Sequence, residues 1–109
     1  MTEEDAGAVR VERWPRGEGE PTEKRMMRAL ELEGYDVLVY TYRPGTVFPE
    51  HEHPRPKCDA VVAGVLRVTV AAKSFDLGAG DRIYVPAGTR HAAEVVGQET
   101  VVSLDGTLW

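Results

Sequence analysis

A series of short segments with alternating apolar and polar residues follows Gly34, and this series constrains the fold more than any other feature. The segments are YDVLVYTY, VVAGVLRVTV, RIYV, AAEVV and TVVSL. They are rich in β-branched and aromatic residues, which is typical of strands. Turn sequences with proline, glycine or aspartate lie between them, at residues 43–46, 78–81 and 86–89. Because no helical segment separates these strands, the sequence predicts an all-β fold, an antiparallel sandwich or barrel.

One short helix is predicted before the strands. Met26, Met27 and Leu30 recur at the three-to-four spacing of a helix that buries one face. Thr22 is placed to cap its beginning, and Gly34 follows its end.

The length of 109 residues fits one domain with one hydrophobic core. Residues 1–20 contain six acidic and three basic side chains, and we expect this segment to be partly mobile. Val9, Val11 and Trp14 within it are candidates for an edge strand. Residues 21–109 are predicted to form a single β-barrel domain.

The charge and the apolar pattern exclude several classes of partner. The net charge of −5 argues against nucleic-acid binding, because phosphates would be repelled on balance. No apolar run approaches the roughly 20 residues of a membrane-spanning helix. The single cysteine, Cys58, forms no internal disulfide, so we expect a cytoplasmic protein.

The three histidines of the chain are arranged like metal ligands. His51 and His53 are two residues apart, so both side chains of an extended strand project from one face. His91 follows the turn at residues 86–89, at the start of another predicted strand. Three neutral imidazoles leave coordination positions open for water or substrate. The alternative interpretation is that the histidines are polar surface residues without a bound metal, which is common for an isolated His-x-His pair.

Two groups of spaced residues carry a family resemblance. The first comprises Gly45, His51, His53 and Gly64, and the second comprises Gly80, Pro86, Gly88 and His91. With these residues in order and in register, the chain from about residue 45 to residue 97 resembles the cupin family.

The resemblance implies an antiparallel jelly-roll β-barrel with a metal bound inside it by His51, His53 and His91. The implied cofactor is a divalent transition metal: iron, manganese, nickel or zinc. The resemblance also implies a homodimer that takes a small-molecule ligand or substrate. It leaves the reaction open, because the family includes dioxygenases, decarboxylases, isomerases, sensors and storage proteins.

The sequence departs from the family pattern where a glutamate is usually the fourth ligand. Lys57 and Cys58 occupy those positions. Lys57 is a candidate catalytic residue, and its alternatives are an ion pair with Asp59, favoured here, or binding of a substrate anion. Cys58 is a candidate fourth ligand as a thiolate, or a small buried apolar residue.

Three functions are therefore weighed. The first is a metal-dependent enzyme, dioxygenase-like or related, acting on a small polar molecule. The second is a non-catalytic binding or sensing module, and the third is a barrel whose metal is structural or absent. No general base is evident among the predicted site residues, which favours redox or binding roles over hydrolysis.

Overall fold

A computed structural model describes residues 8–109 as two antiparallel sheets and one helix. The elements are β1 (Arg10–Glu12), α1 (Glu23–Leu32), β2 (Asp36–Tyr42), β3 (Val47–His51), β4 (Lys57–Ala63), β5 (Val65–Val70), β6 (Lys73–Leu77), β7 (Arg82–Val85), β8 (His91–Val96) and β9 (Val101–Thr107). This architecture confirms the predicted all-β jelly roll with one short N-terminal helix.

The two sheets face each other and form the walls of the barrel. One sheet has five strands in the order β1-β7-β4-β9-β2, and the other has four in the order β3-β8-β5-β6. All neighbouring strands are antiparallel. Consecutive strands of the chain therefore often lie in different sheets, as in β2 followed by β3.

The main hydrophobic core lies between the sheets. The alternation predicted for β5 is confirmed, because Leu66, Val68 and Val70 are buried while Arg67 and Thr69 are partly exposed. The other members of this core come from both sheets and include Val9, Val11, Val61, Phe75, Leu77, Ile83, Val85, Val95 and Val101.

A second, smaller core lies under the helix, on the outer face of the five-stranded sheet. The Thr22 side chain accepts a hydrogen bond from the Arg25 amide and caps α1 as predicted. Met26 and Leu30 are buried against Cys58, Ala60 and Leu104. The helix therefore covers the side of the sheet that faces away from the barrel interior.

Two strands differ from the sequence prediction. The run VVAGVLRVTV contains two strands, because the chain leaves one sheet at Gly64 and enters the other. Gly64 has φ +77, and an added Cβ would lie 2.8 Å from the Thr100 carbonyl oxygen. The strand β6 was not predicted; its buried Phe75 and Leu77 alternate with polar residues over only five positions.

The predicted N-terminal edge strand is present but shorter, because β1 covers only Arg10–Glu12. Val11 is buried within it, Val9 is buried just before it, and Trp14 lies beyond its end. Residues 1–7 lie outside the described part of the chain, and the mobility of residues 1–20 stays a prediction. Within the described residues, no helix has the length and apolar character needed to cross a membrane.

Candidate metal centre

Strand pairing brings the three histidines together at one end of the barrel. His51 ends β3 and lies directly opposite His91, the first residue of β8. The sequence had predicted His53 on the same strand as His51, but His53 lies two residues beyond the end of β3. Its carbonyl oxygen accepts a hydrogen bond from the Gly88 amide at 2.8 Å, which ties it to the turn before β8. This turn needs a glycine, since Gly88 has φ +75.

The three imidazoles form a compact triangle. The ring centres of His51 and His53 are 4.8 Å apart, those of His51 and His91 4.4 Å, and those of His53 and His91 5.2 Å. One nitrogen from each ring lies within 4.8 Å of the other two. Three histidine nitrogens at this spacing form a group able to hold one metal ion.

Hydrogen bonds to the backbone set the tautomer of two rings. His51 Nδ1 lies 2.7 Å from the Pro49 carbonyl oxygen, and His91 Nδ1 lies 2.8 Å from that of Thr89. A carbonyl oxygen only accepts, so each Nδ1 carries the hydrogen and donates it. Each Nε2 therefore keeps a free lone pair, which is the usual arrangement of a metal-binding histidine.

The protein environment favours the uncharged form of two rings. Burial lowers the pKa of His53, and the neighbouring His51 and His91 lower it further. Burial is also the main cause of the lowered pKa of His91, which the bond to the Thr89 carbonyl partly offsets. Because only a neutral imidazole binds a metal, these shifts extend the metal-binding form to lower pH.

The histidines open into a cavity of about 290 Å³ between the two sheets. Its remaining lining consists of Tyr40, Tyr42, Phe48, Lys57, Asp59, Leu66, Val68, Ala93, Ser103 and Asp105. Tyr42 and Phe48 pack edge to face, with ring centres 4.8 Å apart. Burial, followed by the charges of Asp59 and Asp105, raises the pKa of Tyr42 to about 12. The cavity is thus apolar on one side and charged on the other.

The charged side of the cavity contains two acids and one base. Asp59 on β4 lies directly opposite Asp105 on β9. Lys57 Nζ is 2.5 Å from Asp105 Oδ1 and donates a hydrogen bond to Thr107 Oγ1 at 2.8 Å. The closest acidic partner of Lys57 is therefore Asp105, and the prediction of an Asp59 pair is wrong in this respect. The reason is distance: residues two apart on one strand, such as Lys57 and Asp59, have Cα atoms about 7 Å apart, whereas residues on neighbouring strands are only about 5 Å apart.

The carboxyl group of Asp105 lies close enough to that of Asp59 to change its pKa. Burial raises the pKa of Asp59 well above its usual range, and the adjacent Asp105 raises it further, while Lys57 opposes this effect. The raised pKa favours the protonated, uncharged form of Asp59. From the sequence, Asp59 was considered only as an ion-pair partner for Lys57, and Asp105 was not predicted as a site residue. The sequence did contain one indication for Asp105: every second residue of a strand lies on the same face, and Asp105 therefore shares the inner face of β9 with Val101 and Ser103.

The structure does not bring Cys58 to the histidines. Its side chain lies on the opposite face of β4, fully buried with Met26 and Leu30 under the helix. Burial raises the pKa of the Cys58 thiol. Cys58 thus has the environment of a small apolar core residue, which is the second of the alternatives considered from the sequence.

Charged side chains surround the histidine end of the barrel. Arg90 is bonded to Glu50 Oε1 at 3.0 Å and lies 3.7 Å from Glu52 Oε1. All three side chains are more than half exposed, so these pairs contribute little stability. They form the rim of the cavity and do not point into it.

Comparison with known proteins adds to this geometry. A family model described as a cupin domain matches residues 38–106. No protein among the curated sequences matches the chain.

Three solved structures illustrate the structural similarity. A conserved Streptococcus pyogenes protein of unknown function is 21% identical, with a TM-score of 0.61; the match covers 69% of this chain and 64% of that one. KdgF from Halomonas sp. is 23% identical, with a TM-score of 0.57 and coverages of 68% and 70%. A variant of oxalate decarboxylase from Bacillus subtilis is 29% identical, with a TM-score of 0.59 and coverages of 68% and 21%. The first two similarities show the fold, and the third is limited to about a fifth of the larger enzyme.

Proposed function

The chain belongs to the cupin family, and we propose that it is a metal-dependent enzyme that acts on a small polar molecule inside its barrel. The observation that carries the proposal is the meeting of His51, His53 and His91 in a cavity that also holds ionisable groups. A purely structural metal site would be closed by four protein ligands, whereas only three meet among the described residues.

The donor set fits a divalent transition metal. His51 and His91 have an Nε2 lone pair directed away from their backbone hydrogen bonds, and His53 completes the group. Imidazole ligands suit iron, nickel, copper and zinc, and manganese is compatible with such a site. When bound, the metal would act as a Lewis acid or a redox centre toward a substrate oxygen.

The chain's own residues supply the remaining requirements of a reaction. Lys57 Nζ lies 2.5 Å from Asp105 Oδ1, and Asp59, whose pKa is raised by burial and by Asp105, lies at the cavity wall. A proton on Asp59 would be within reach of a small molecule bound in the cavity, which Asp59 lines. This supports reactions that combine redox or Lewis-acid chemistry with a proton transfer, such as dioxygenation or decarboxylation.

The size of the cavity limits the substrate. A volume of about 290 Å³ lies at the small end of ligand pockets. The similarity to oxalate decarboxylase, whose name states its substrate, supports a small carboxylate as the first molecule to test.

Metal analysis of the purified protein tests the proposal first. We expect about one divalent transition metal ion per chain, and loss of that metal in His51→Ala, His53→Ala and His91→Ala. Glu50→Ala is the matched control, because Glu50 lies on the exposed rim next to His51. Metal retained by all three histidine variants would refute the site.

Activity assays then distinguish an enzyme from a binding module. Oxygen consumption and carbon dioxide release would be measured with small carboxylates, hydroxy acids, diketones and thiols. We expect turnover that depends on the metal and falls by about 10²-fold or more in Asp59→Asn, which removes the transferable proton. Tight binding without turnover of any compound would favour a sensing role instead.

A further inference from the structure

The cavity that opens from the histidines has an aromatic wall. Tyr40 and Tyr42 are two residues apart on β2, and both line the cavity. Their rings are nearly parallel, with an angle of 10° between the planes and 6.3 Å between the centres. Phe48 on β3 packs edge to face against Tyr42. Tyr40 is 42% exposed, so part of this aromatic surface is left for a ligand to cover.

Aliphatic side chains of the four-stranded sheet extend the apolar surface. Leu66 and Val68 on β5 and Ala93 on β8 also line the cavity. None of these side chains forms hydrogen bonds, so the part of a ligand that faces them must be apolar as well. A flat ring suits the aromatic wall best, because ring pairs gain energy beyond the area that they bury.

The charged wall of the cavity has no excess positive charge. Lys57 is the only lysine or arginine among the described residues that line the cavity. It lies 2.5 Å from Asp105, and Asp59 lies opposite Asp105 on the neighbouring strand. One base therefore stands beside two acids, and its charge is balanced by Asp105 even when Asp59 is protonated.

This balance of charge limits the number of anionic groups on a ligand. A carboxylate fits at the histidine end, where a bound divalent metal would supply positive charge. A second carboxylate on the other side of the ligand would approach Asp59 and Asp105, and like charges repel strongly where water is partly excluded. Arg90 at the rim gives no compensation, because it is bonded to Glu50 and lies near Glu52.

We propose that the cavity selects a flat apolar ring with a single carboxylate, and that Tyr40, Asp59 and Asp105 determine this selectivity. The inference rests on the proposed function, because the carboxylate would bind at the metal held by the three histidines. It adds the substrate class: an aromatic monocarboxylate, and neither a dicarboxylate nor a short aliphatic acid. The volume of about 290 Å³ leaves room for such a ring, since an apolar cavity on the order of 150 Å³ is able to bind benzene.

Calorimetric titration of the Zn²⁺-loaded wild type tests the preference for a flat ring. Zn²⁺ has no redox chemistry, so binding is measured without oxidative turnover. Benzoate is the reference ligand. Acetate lacks the ring and should bind roughly tenfold or more weakly. Cyclohexanecarboxylate has a ring that is not flat, and it should bind about two- to tenfold more weakly.

The same titration tests the preference for a single charge. Terephthalate carries a second carboxylate on the opposite side of the ring, and 4-nitrobenzoate is its matched control because a nitro group has the same shape without the charge. We expect terephthalate to bind roughly tenfold or more weakly than 4-nitrobenzoate. Equal affinities for these two acids would overturn the proposed charge selectivity.

A substitution in the aromatic wall tests the role of Tyr40. Tyr40→Leu should reduce the preference for benzoate over cyclohexanecarboxylate by about twofold or more, and the affinity for Zn²⁺ should not change. The matched control is Tyr35→Leu, because Tyr35 packs against Tyr84 and the core under the helix, away from the cavity. A preference that is the same in Tyr40→Leu as in the wild type would refute this role.

Removal of both acids from the charged wall should reverse the charge selectivity. In the double variant Asp59→Asn and Asp105→Asn, the ammonium of Lys57 is unbalanced. Terephthalate should then gain roughly tenfold or more in affinity relative to 4-nitrobenzoate. Glu50→Gln with Glu52→Gln removes two acids at the exposed rim and should leave the ratio unchanged. An unchanged ratio in a folded double variant, as judged by circular dichroism, would overturn the role of the two acids.

Failure of this inference is distinguishable from failure of the proposed function. A wild type that holds no Zn²⁺ would overturn both together. A Zn²⁺-loaded wild type that binds acetate as tightly as benzoate, or that binds none of these acids, would overturn the selectivity alone. The comparisons on the wild type decide the proposal even where a variant fails to fold.

Discussion

Replacement of Lys57 by methionine should destabilise the fold more than any other change on the charged wall of the cavity. The ammonium lies 2.5 Å from Asp105, and the two side chains are only 12% and 26% exposed. At an effective dielectric constant of about 20, the direct attraction over this distance is roughly 7 kcal/mol. Most of that attraction offsets the cost of removing both charges from water. Loss of one partner from a buried pair costs about 3–5 kcal/mol, and the residual exposure places this pair near 3 kcal/mol.

The third member of the cluster makes the prediction asymmetric. In Lys57→Met the two carboxyl groups of Asp59 and Asp105 remain together without a cation. In Asp105→Asn, by contrast, Lys57 keeps its bond to Thr107 and gains Asp59 as an ionised partner. We therefore expect Asp105→Asn to cost only about 1 kcal/mol. The double variant should lie within about 1 kcal/mol of the wild type, because no unpaired charge remains.

Urea unfolding at pH 7 in the presence of a chelator measures these differences without a contribution from metal binding. The free energy of unfolding is compared for the wild type, both single variants and the double variant. Equal costs for Lys57→Met and Asp105→Asn, or single costs that add in the double variant, would show that the three groups do not act as one cluster.

Three further predictions follow from the described contacts. Because the pKa values of His53 and His91 are lowered on folding, their contribution to the stability of the metal-free protein should be full above pH about 6.5 and be lost as the pH falls below it; compared with the wild type, variants with glutamine at either position should lose less stability between pH 7.5 and 5 in urea titrations. The Cys58 thiol should react with a thiol reagent only after unfolding, and Cys58→Ala should keep the full metal content, whereas a lowered content would make the thiol a ligand. Gly64→Ala should cost about 3 kcal/mol and Gly45→Ala only about 1, since both have positive φ but only at Gly64 would a Cβ meet backbone atoms; equal unfolding midpoints for these two variants would refute the steric argument.

The sequence predicted the elements whose signals are local. The alternation in β5 and the cap and buried face of α1 each depend on residues within ten positions of one another, and the structure confirms them. The histidines were found because they belong to two groups of residues whose spacing resembles a family pattern. The prediction erred by a few residues at the end of β3, where the chain leaves the sheet before His53.

The charged wall of the cavity was not predicted because it depends on which strands become neighbours. Asp59 and Asp105 are 46 positions apart, and only the pairing of β4 with β9 sets them opposite each other. A sequence shows that both alternate with apolar residues, but it does not show the register. The same reason explains the error for Lys57, whose nearest acid belongs to the neighbouring strand and not to its own.

The backbone hydrogen bonds of His51 and His91 have a consequence for how such a histidine group changes over evolution. His51 and His91 are each held by the carbonyl group two residues earlier in the chain. Ring orientation is thus encoded within two tripeptides, and no distant side chain is needed to maintain it. Substitutions elsewhere in the barrel are then free to change the size and polarity of the cavity while these two imidazoles keep their orientation, so related barrels could differ in what they bind and still share the same histidine geometry.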